Sequence, residues 1–329
     1  MSSTCSSVVV MTDRAAIGMC FDRTFPGSAV TEFARRLEDG GVDELWLIED
    51  CFFTTAPPLA AAALAVTERL SVGLGILPAV ARTAAVSAME IATLSSIAPG
   101  RVIGGIGHGI QSWMAQMGAA TPSPLTTLEE VLGAVRGLLS GEEVTVDGRQ
   151  VHLEAVRLEH PPTPVPPVLA GVRGPRSMAV AGRAADGVVL AGPCPPAYAR
   201  WAREAAGAGP GFQVACFTTM CITPDRSTAH EIMAPWVVGA LTTGEGAGLR
   251  QLAFHDELSA LARDRGVEGV AAMPRDWWVQ IGAIGTLDDA AEHVSLLEAA
   301  GVTSAALFPA PELELARAQV DDVIALARR

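Results

Sequence analysis

Gly100-Arg101-Val102-Ile103-Gly104-Gly105-Ile106-Gly107-His108-Gly109-Ile110, continuing through Trp113 and Met114 to Ala119, is the stretch on which the reading of this chain turns. The apolar run from Val102 to Ile106 has the length of a buried strand, and Pro99-Gly100 punctuates its start. Gly104, Gly105, Gly107 and Gly109 then strip side chains from its exit. Glycine inside a strand packs nothing and adds backbone entropy to be lost. Four in six positions therefore imply a close approach, by a ligand or by a neighbouring backbone at a bulge or tight turn. The preferred reading is a ligand.

Working outward, the same strand–helix alternation recurs. Upstream lie apolar runs Ala15 to Phe21, Leu45 to Ile48 (closing on Glu49-Asp50) and Val72 to Leu77. They are separated by helical patterns: Val30, Phe33, Ala34 and Leu37, then Leu59 to Thr67, then Ala84 to Ile97. Downstream, a helix carrying Leu128, Val131, Leu132, Val135 and Leu138 precedes strands Val168 to Val172, Gly187 to Leu190, Gln213 to Ile222 and Ser304 to Phe308. Helices Met178 to Ala184, Tyr198 to Ala206 and Leu287 to Ala300 intervene. A last helix sets Leu313, Ala316, Val320, Val323, Ile324 and Ala327 on one face. Eight such units predict a single α/β domain over residues 1–329, a (β/α)8 TIM barrel with insertions and a site at the C-terminal strand ends. An open doubly wound sheet is the alternative. The dinucleotide fingerprint G-x-G-x-x-G is incomplete, however, because Ile110 stands where its third glycine belongs.

Two segments break the rhythm. Residues 142–167 read as an insertion, a hairpin turning at Asp147-Gly148 plus a proline-rich return. Residues 227–282 read as a mostly helical insertion on the substrate side, helical from Ser227 to Arg265 and then a loop with Pro274 and Trp277-Trp278. Met1 to Thr12 reads as a frayed tail.

Composition narrows the function classes. A formal charge of −13 disfavours nucleic-acid and anionic-membrane partners, so any anionic ligand must be held by local chemistry. All 23 basic residues are arginine, which excludes Schiff-base lysine chemistry and a P-loop. Six cysteines without C-x-x-C spacing read as reduced thiols of a cytoplasmic protein, and no apolar stretch is long enough to span a bilayer.

The candidate site residues follow from the strand ends. Ala170-Gly171-Val172-Arg173-Gly174-Pro175-Arg176-Ser177 leaves a strand and enters a helix with proline at its first position. Free backbone N–H groups there, with Arg173 and Arg176, suit a phosphate; an ordinary helix start with two solvated arginines is the alternative. Asp50 could position a ligand or cap a helix, and Cys51 beside it could be redox-active or simply a small buried thiol. His108 could move a proton near neutral pH or be satisfied by backbone. Trp113, Met114 and Met117 read chiefly as helix packing. His255-Asp256-Glu257 and His230-Glu231 lack the H-E-x-x-H spacing and read as solvated faces, so no metal is expected. No G-x-S-x-G elbow supports a hydrolase.

Taken together, Trp46-Leu47-Ile48-Glu49-Asp50, Val72 to Pro78, Gly100 to Gly109, Gly174-Pro175-Arg176 and Ala184-Ala185-Asp186-Gly187 resemble the bacterial luciferase-like superfamily, in particular its branch using the deazaflavin coenzyme F420. The resemblance spans nearly the whole barrel order. It implies a planar tricycle at the strand ends over a non-prolyl cis peptide on strand three, here Gly75-Ile76. It also implies that Gly107, His108 and Gly109 meet the cofactor tail and that Gly174, Pro175 and Arg176 meet its phosphate, with Val172 and Arg173 beside them among the cofactor-binding residues. In F420-dependent relatives an Asp-His pair often ends strand two and an acid often follows the strand-four glycines. Here Cys51 follows Asp50 and Ile110 follows Gly109, so Asp50 and His108 become the nominated proton-handling residues. The expected activity is hydride transfer to a small organic substrate, reducing an activated C=C or C=N bond. FMN-dependent monooxygenation and a flavin-binding barrel without turnover are the alternatives. Alanine-rich helix faces leave room for a homodimer.

Overall fold

Apolar strands alternating with one-sided helices must bury each helix face on a sheet, and here the sheet closes on itself. The computed structural model describes residues 14–243 and 246–329; the expected tail, Met1 to Thr12, lies outside the described residues. Eight parallel strands, β1 (Ala16–Phe21), β2 (Glu44–Ile48), β3 (Ser71–Gly75), β4 (Val102–Gly107), β5 (Val168–Gly171), β6 (Gly187–Leu190), β7 (Gln213–Ile222) and β8 (Ser304–Phe308), pair in chain order, and β8 closes on β1. The fold is an α/β TIM barrel, and the open-sheet alternative falls. Around it run α1 (Val30–Gly40), α2 (Ala56–Leu64), α3 (Ala84–Ile97), α4 (Pro124–Leu139), α5 (Pro175–Ala184), α6 (Pro196–Ala206), α7 (Leu287–Ala299) and α8 (Leu313–Ala327).

The barrel interior is filled by a few large side chains lying over glycines. Trp46 is fully buried, and a Cβ at Gly73 would stand 2.4 Å from its indole. Phe217 packs edge-on against Trp46 with centroids 5.3 Å apart, over Gly75. Beneath them Glu44 is buried, accepting from Trp46 Nε1 at 2.7 Å and from the Ser304 hydroxyl, and burial pushes its pKa up.

Several elements depart from expectation. The Gly75-Ile76 peptide is cis, as the resemblance implied, but strand three, read as continuous to Leu77, ends there at Gly75 and the chain resumes as a short strand, Leu77–Pro78, on β4. Helix α2 starts at Ala56, because Pro57 and Pro58 sit in a first turn that needs no N–H partners and Glu49 Oε2 accepts from Ala56 N at 2.8 Å. The segment read as helical from Ser227 to Arg265 is interrupted: Arg226–Thr243 and His255–Ala271 are separate helices with a short 3-10 turn, Ala247–Gln251, between them. Trp277-Trp278, expected in a loop, lie in a helix, Arg275–Ile281, capped by Pro274. Ala283–Gly285 then adds a strand to the end of β7. The hairpin pairs Val144–Asp147 with His152–Val156.

Buried polar contacts anchor the 226–281 helices to the barrel wall. Asp289 of α7 accepts from Arg226 (2.7 and 3.0 Å) and from Arg275 (2.7 Å), which hold its carboxyl far below the usual range. His293 accepts or donates at Nε2 to Thr218 Oγ1 (2.8 Å) and meets the Val279 carbonyl through Nδ1 (2.7 Å). Since a carbonyl only accepts, Nδ1 carries the proton and Thr218 donates to Nε2.

Candidate functional site

Strand C-terminal ends converge on one mouth, and there the structure has a cavity of about 670 Å³ to which all eight strand ends contribute. Of the residues singled out from the sequence, Asp50, Gly75, Ile76, His108, Gly109, Val172, Arg173 and Gly174 line it. Gly107, Pro175 and Arg176 do not. Gly107 is buried in the strand, while Pro175 and Arg176 are exposed on the first turn of α5.

The glycine-rich exit has mostly a protein partner. A Cβ at Gly104 would meet Ile91, one at Gly105 would stand 2.1 Å from the Leu74 carbonyl oxygen, and one at Gly107 would stand 2.6 Å from the Gly171 carbonyl oxygen. The Ile76 side chain, turned inward after the cis peptide, lies over Gly105, Gly107 and Gly171. Ligand approach is therefore the wrong reason for three of the four glycines: Gly104 lies against Ile91, while Gly105 and Gly107, with Gly171, let β3, β4 and β5 close around Ile76. Gly109 differs, with φ +68° and a place on the cavity wall.

His108 follows β4 into the cavity. Its Nδ1 is buried with no hydrogen-bond partner, and burial pushes the imidazole pKa down against a smaller upward pull from the Pro124 backbone. The neutral imidazole thus lines the cavity with Nε2 donating to the Pro124 carbonyl and Nδ1 covered and unpartnered. There Ser177 Oγ folds onto Gly174, accepting from its N–H at 3.2 Å and donating to its carbonyl at 2.9 Å. A Cβ at Gly174 would meet only that hydroxyl, at 3.8 Å, so the backbone is open to a close ligand. Arg173, exposed at the rim, forms no ion pair among the described residues.

The opposite wall is acidic and aromatic. Asp50 accepts from Arg23 at 2.6 Å, and the Arg23 guanidinium lies 5.0 Å from the Phe53 ring centroid and 5.8 Å from that of Trp113. Glu49 is held by Arg82 at 2.5 and 3.0 Å. Asp22, only 6% exposed, accepts at Oδ1 from Thr24 N (2.8 Å) and Thr24 Oγ1 (2.6 Å). Cys51 is a poor nucleophile: desolvation, then the Glu49 and Asp50 charges, push its thiol pKa up.

Sequence reasoning missed Arg23, Arg82, Trp236 and Phe308. Arg23 directly follows the strand-end acid Asp22, a signal within reach; Trp236 sits on a helix apolar on several sides, where no stripe marks an inward face. Trp113 and Met114, read as packing, line the cavity. His230, read as solvated, is buried and stacks on Trp278 at 4.6 Å. Among the described residues no three His, Cys, Asp or Glu side chains gather as a metal would need.

The profile of a family described as luciferase-like monooxygenase matches residues 7–304. The chain is 29% identical over 304 residues to a 5,10-methylenetetrahydromethanopterin reductase of Methanolobus tindarius, an alignment covering 87% of this chain and 91% of that protein. Among solved structures it is similar to the coenzyme F420 dependent tetrahydromethanopterin reductase of Methanopyrus kandleri, with TM-score 0.75, 20% identity, and 94% and 97% of the two chains covered. It is also similar to an F420-dependent secondary alcohol dehydrogenase holding an F420–acetone adduct, with TM-score 0.74, 19% identity, and 96% and 99% covered. At those identities the structural likeness speaks for the fold.

Proposed function

This chain belongs to the luciferase-like monooxygenase family, and from that premise we propose that it is an F420-dependent oxidoreductase passing a hydride to an activated C=C or C=N bond of a small organic substrate. One observation carries the cofactor's place: the β4–β5 side of the cavity presents the His108 ring, a side-chain-free Gly174 and an unpaired Arg173. The Arg173 charge and open backbone of this kind suit the polar edge and phosphate-bearing tail of a deazaflavin, as do the amides at the start of α5. Apolar Ile76, Val189 and Phe217 suit its planar face. Bound there, the reduced cofactor supplies the hydride.

The chain's own residues do the rest. Gly109 and Gly174 admit the cofactor, Arg173 takes a phosphate, and His108, kept neutral by burial, hydrogen-bonds the ring system or passes a proton. Asp50 is fixed by Arg23, and Trp113 and Trp236 exclude water. Trp236 brings residues 227–282 to the cavity, which supports their assignment as a substrate-side insertion. The 142–167 hairpin contributes no residue to it. On the outer face of α3, exposed Val86, Met89 and Ile97 favour a homodimer, and the free cysteines of the described chain favour a reducing, cytoplasmic setting.

FMN, also planar and phosphate-bearing, is the second reading, supported by the family's description as monooxygenases. The sequence relative is a reductase, which argues against a flavin carrier without turnover. Incubation with reduced F420 and a panel of enones and imines, following the oxidised deazaflavin absorbance, tests the proposal. Substrate-dependent oxidation is expected. Turnover only with reduced FMN and oxygen would replace it with the second reading.

A further inference from the structure

The cavity's charges are compensated one by one, with two exceptions. Glu49 is paired with Arg82 and Asp50 with Arg23. That leaves Asp22 as the lining carboxylate with no ion-pair partner among the described residues, and Arg173 as the lining arginine with none. Asp22 follows β1 and Arg173 follows β5, four strands away in either direction around a ring of eight, so the two face each other across the mouth. Thr24 occupies Oδ1 of Asp22 with two hydrogen bonds, and no described residue donates to Oδ2. Oδ2 is not sealed in protein but open to the cavity, where a cation or a donor can reach it.

We propose that Asp22 binds the positive end of the substrate, and that the substrate is a cationic C=N compound, an iminium or a protonated imine. The inference rests on the proposed function, which sets the cofactor's phosphate on the Arg173 side and so leaves the Asp22 side for substrate. It selects the C=N branch of that reading. Phe308 on β8, the strand next to β1, and Trp236 line the same cavity and offer faces to a planar cation. The reaction balances without a proton donor at carbon. One hydride forms the new C–H bond, the π pair becomes the nitrogen lone pair, and the positive charge disappears. The proton left over from the reduced cofactor goes to water, so the product in the site is the neutral amine. Because the cation exists in the substrate and vanishes in the product, Asp22 strengthens substrate binding and lets the neutral amine leave; its loss appears in KM more than in kcat.

Calorimetric titration of the cofactor-free protein with N-methylquinolinium and with uncharged quinoline tests this without relying on turnover. Wild type is expected to prefer the cation by about tenfold, a modest yield for a partly buried charge pair. Asp22→Asn, which keeps an Oδ1 for Thr24, should erase the preference, and Asp22→Glu should restore part of it. Equal binding of both probes by wild type, or a preference that survives Asp22→Asn, overturns the proposal. F420 titration of the same variants separates the two claims. Failure of every protein to bind F420 sinks the proposed function, whereas the cation preference alone decides the role of Asp22.

Discussion

Replacing Gly105 by alanine discriminates between the two reasons for a glycine-rich strand exit. The new Cβ would stand 2.1 Å from the Leu74 carbonyl oxygen and 3.1 Å from Ile76 Cγ2. A backbone oxygen cannot swing aside, so β3 and β4 must part by about 1 Å at the point where Ile76 turns inward, an overpacking cost of about 3 kcal/mol. Gly104→Ala is the control. Its Cβ would meet the Ile91 Cδ1 methyl at 3.0 Å, a group free to rotate, and the Pro167 carbonyl oxygen at 3.5 Å. The smaller unfolded-state entropy of alanine, worth about 0.5 kcal/mol, roughly offsets that contact. Urea denaturation of the ligand-free proteins, followed by tryptophan fluorescence, should show a large drop in midpoint for Gly105→Ala and little change for Gly104→Ala. A Gly105→Ala protein with the parent's midpoint but weakened cofactor binding would refute the packing account and return this glycine to the ligand.

Other outcomes follow from the same structure. Burial pushes the His293 pKa down to about 4, below the unfolded value near 6.5, so the unfolded chain binds more protons between those values. Stability is therefore full above about pH 6.5 and falls on acidification, by about 3 kcal/mol once pH reaches the folded pKa; urea midpoints in a pH series that do not move over this window would contradict it. Asp289→Asn should loosen the 226–281 helices by about 2 kcal/mol, read as faster limited proteolysis within that segment with the barrel intact. Arg173→Ala should weaken F420 binding by roughly tenfold, with Arg176→Ala weaker in effect because that side chain stands off the cavity. Met89→Glu, on the exposed face of α3, should shift a dimer to monomer in sedimentation.

The barrel was legible because its strands are short apolar runs between clear stops: Gly187–Leu190, Gln213–Ile222 and Ser304–Phe308 lie where the pattern put them. Less legible was anything set by a long-range contact. The strand-three break depends on Ile76 finding three glycines on β4 and β5, and no local pattern of apolar residues encodes that. Trp277-Trp278 looked like a loop because Pro274 precedes them, although proline can equally cap a helix. Within the site, strand-end position alone found Asp50, His108, Arg173 and Gly174. The pairing of Asp50 with Arg23 and of Glu49 with Arg82, which decides which charges are left for ligands, exists only in the folded barrel.

Equilibrium titration of the purified protein with F420 and, separately, with FMN, read by cofactor fluorescence, bears most directly on the claim that this mouth holds a deazaflavin. Saturable binding of F420 that Arg173→Ala weakens, with FMN binding much more poorly, is the predicted result. Tight binding of FMN with none of F420 would contradict it.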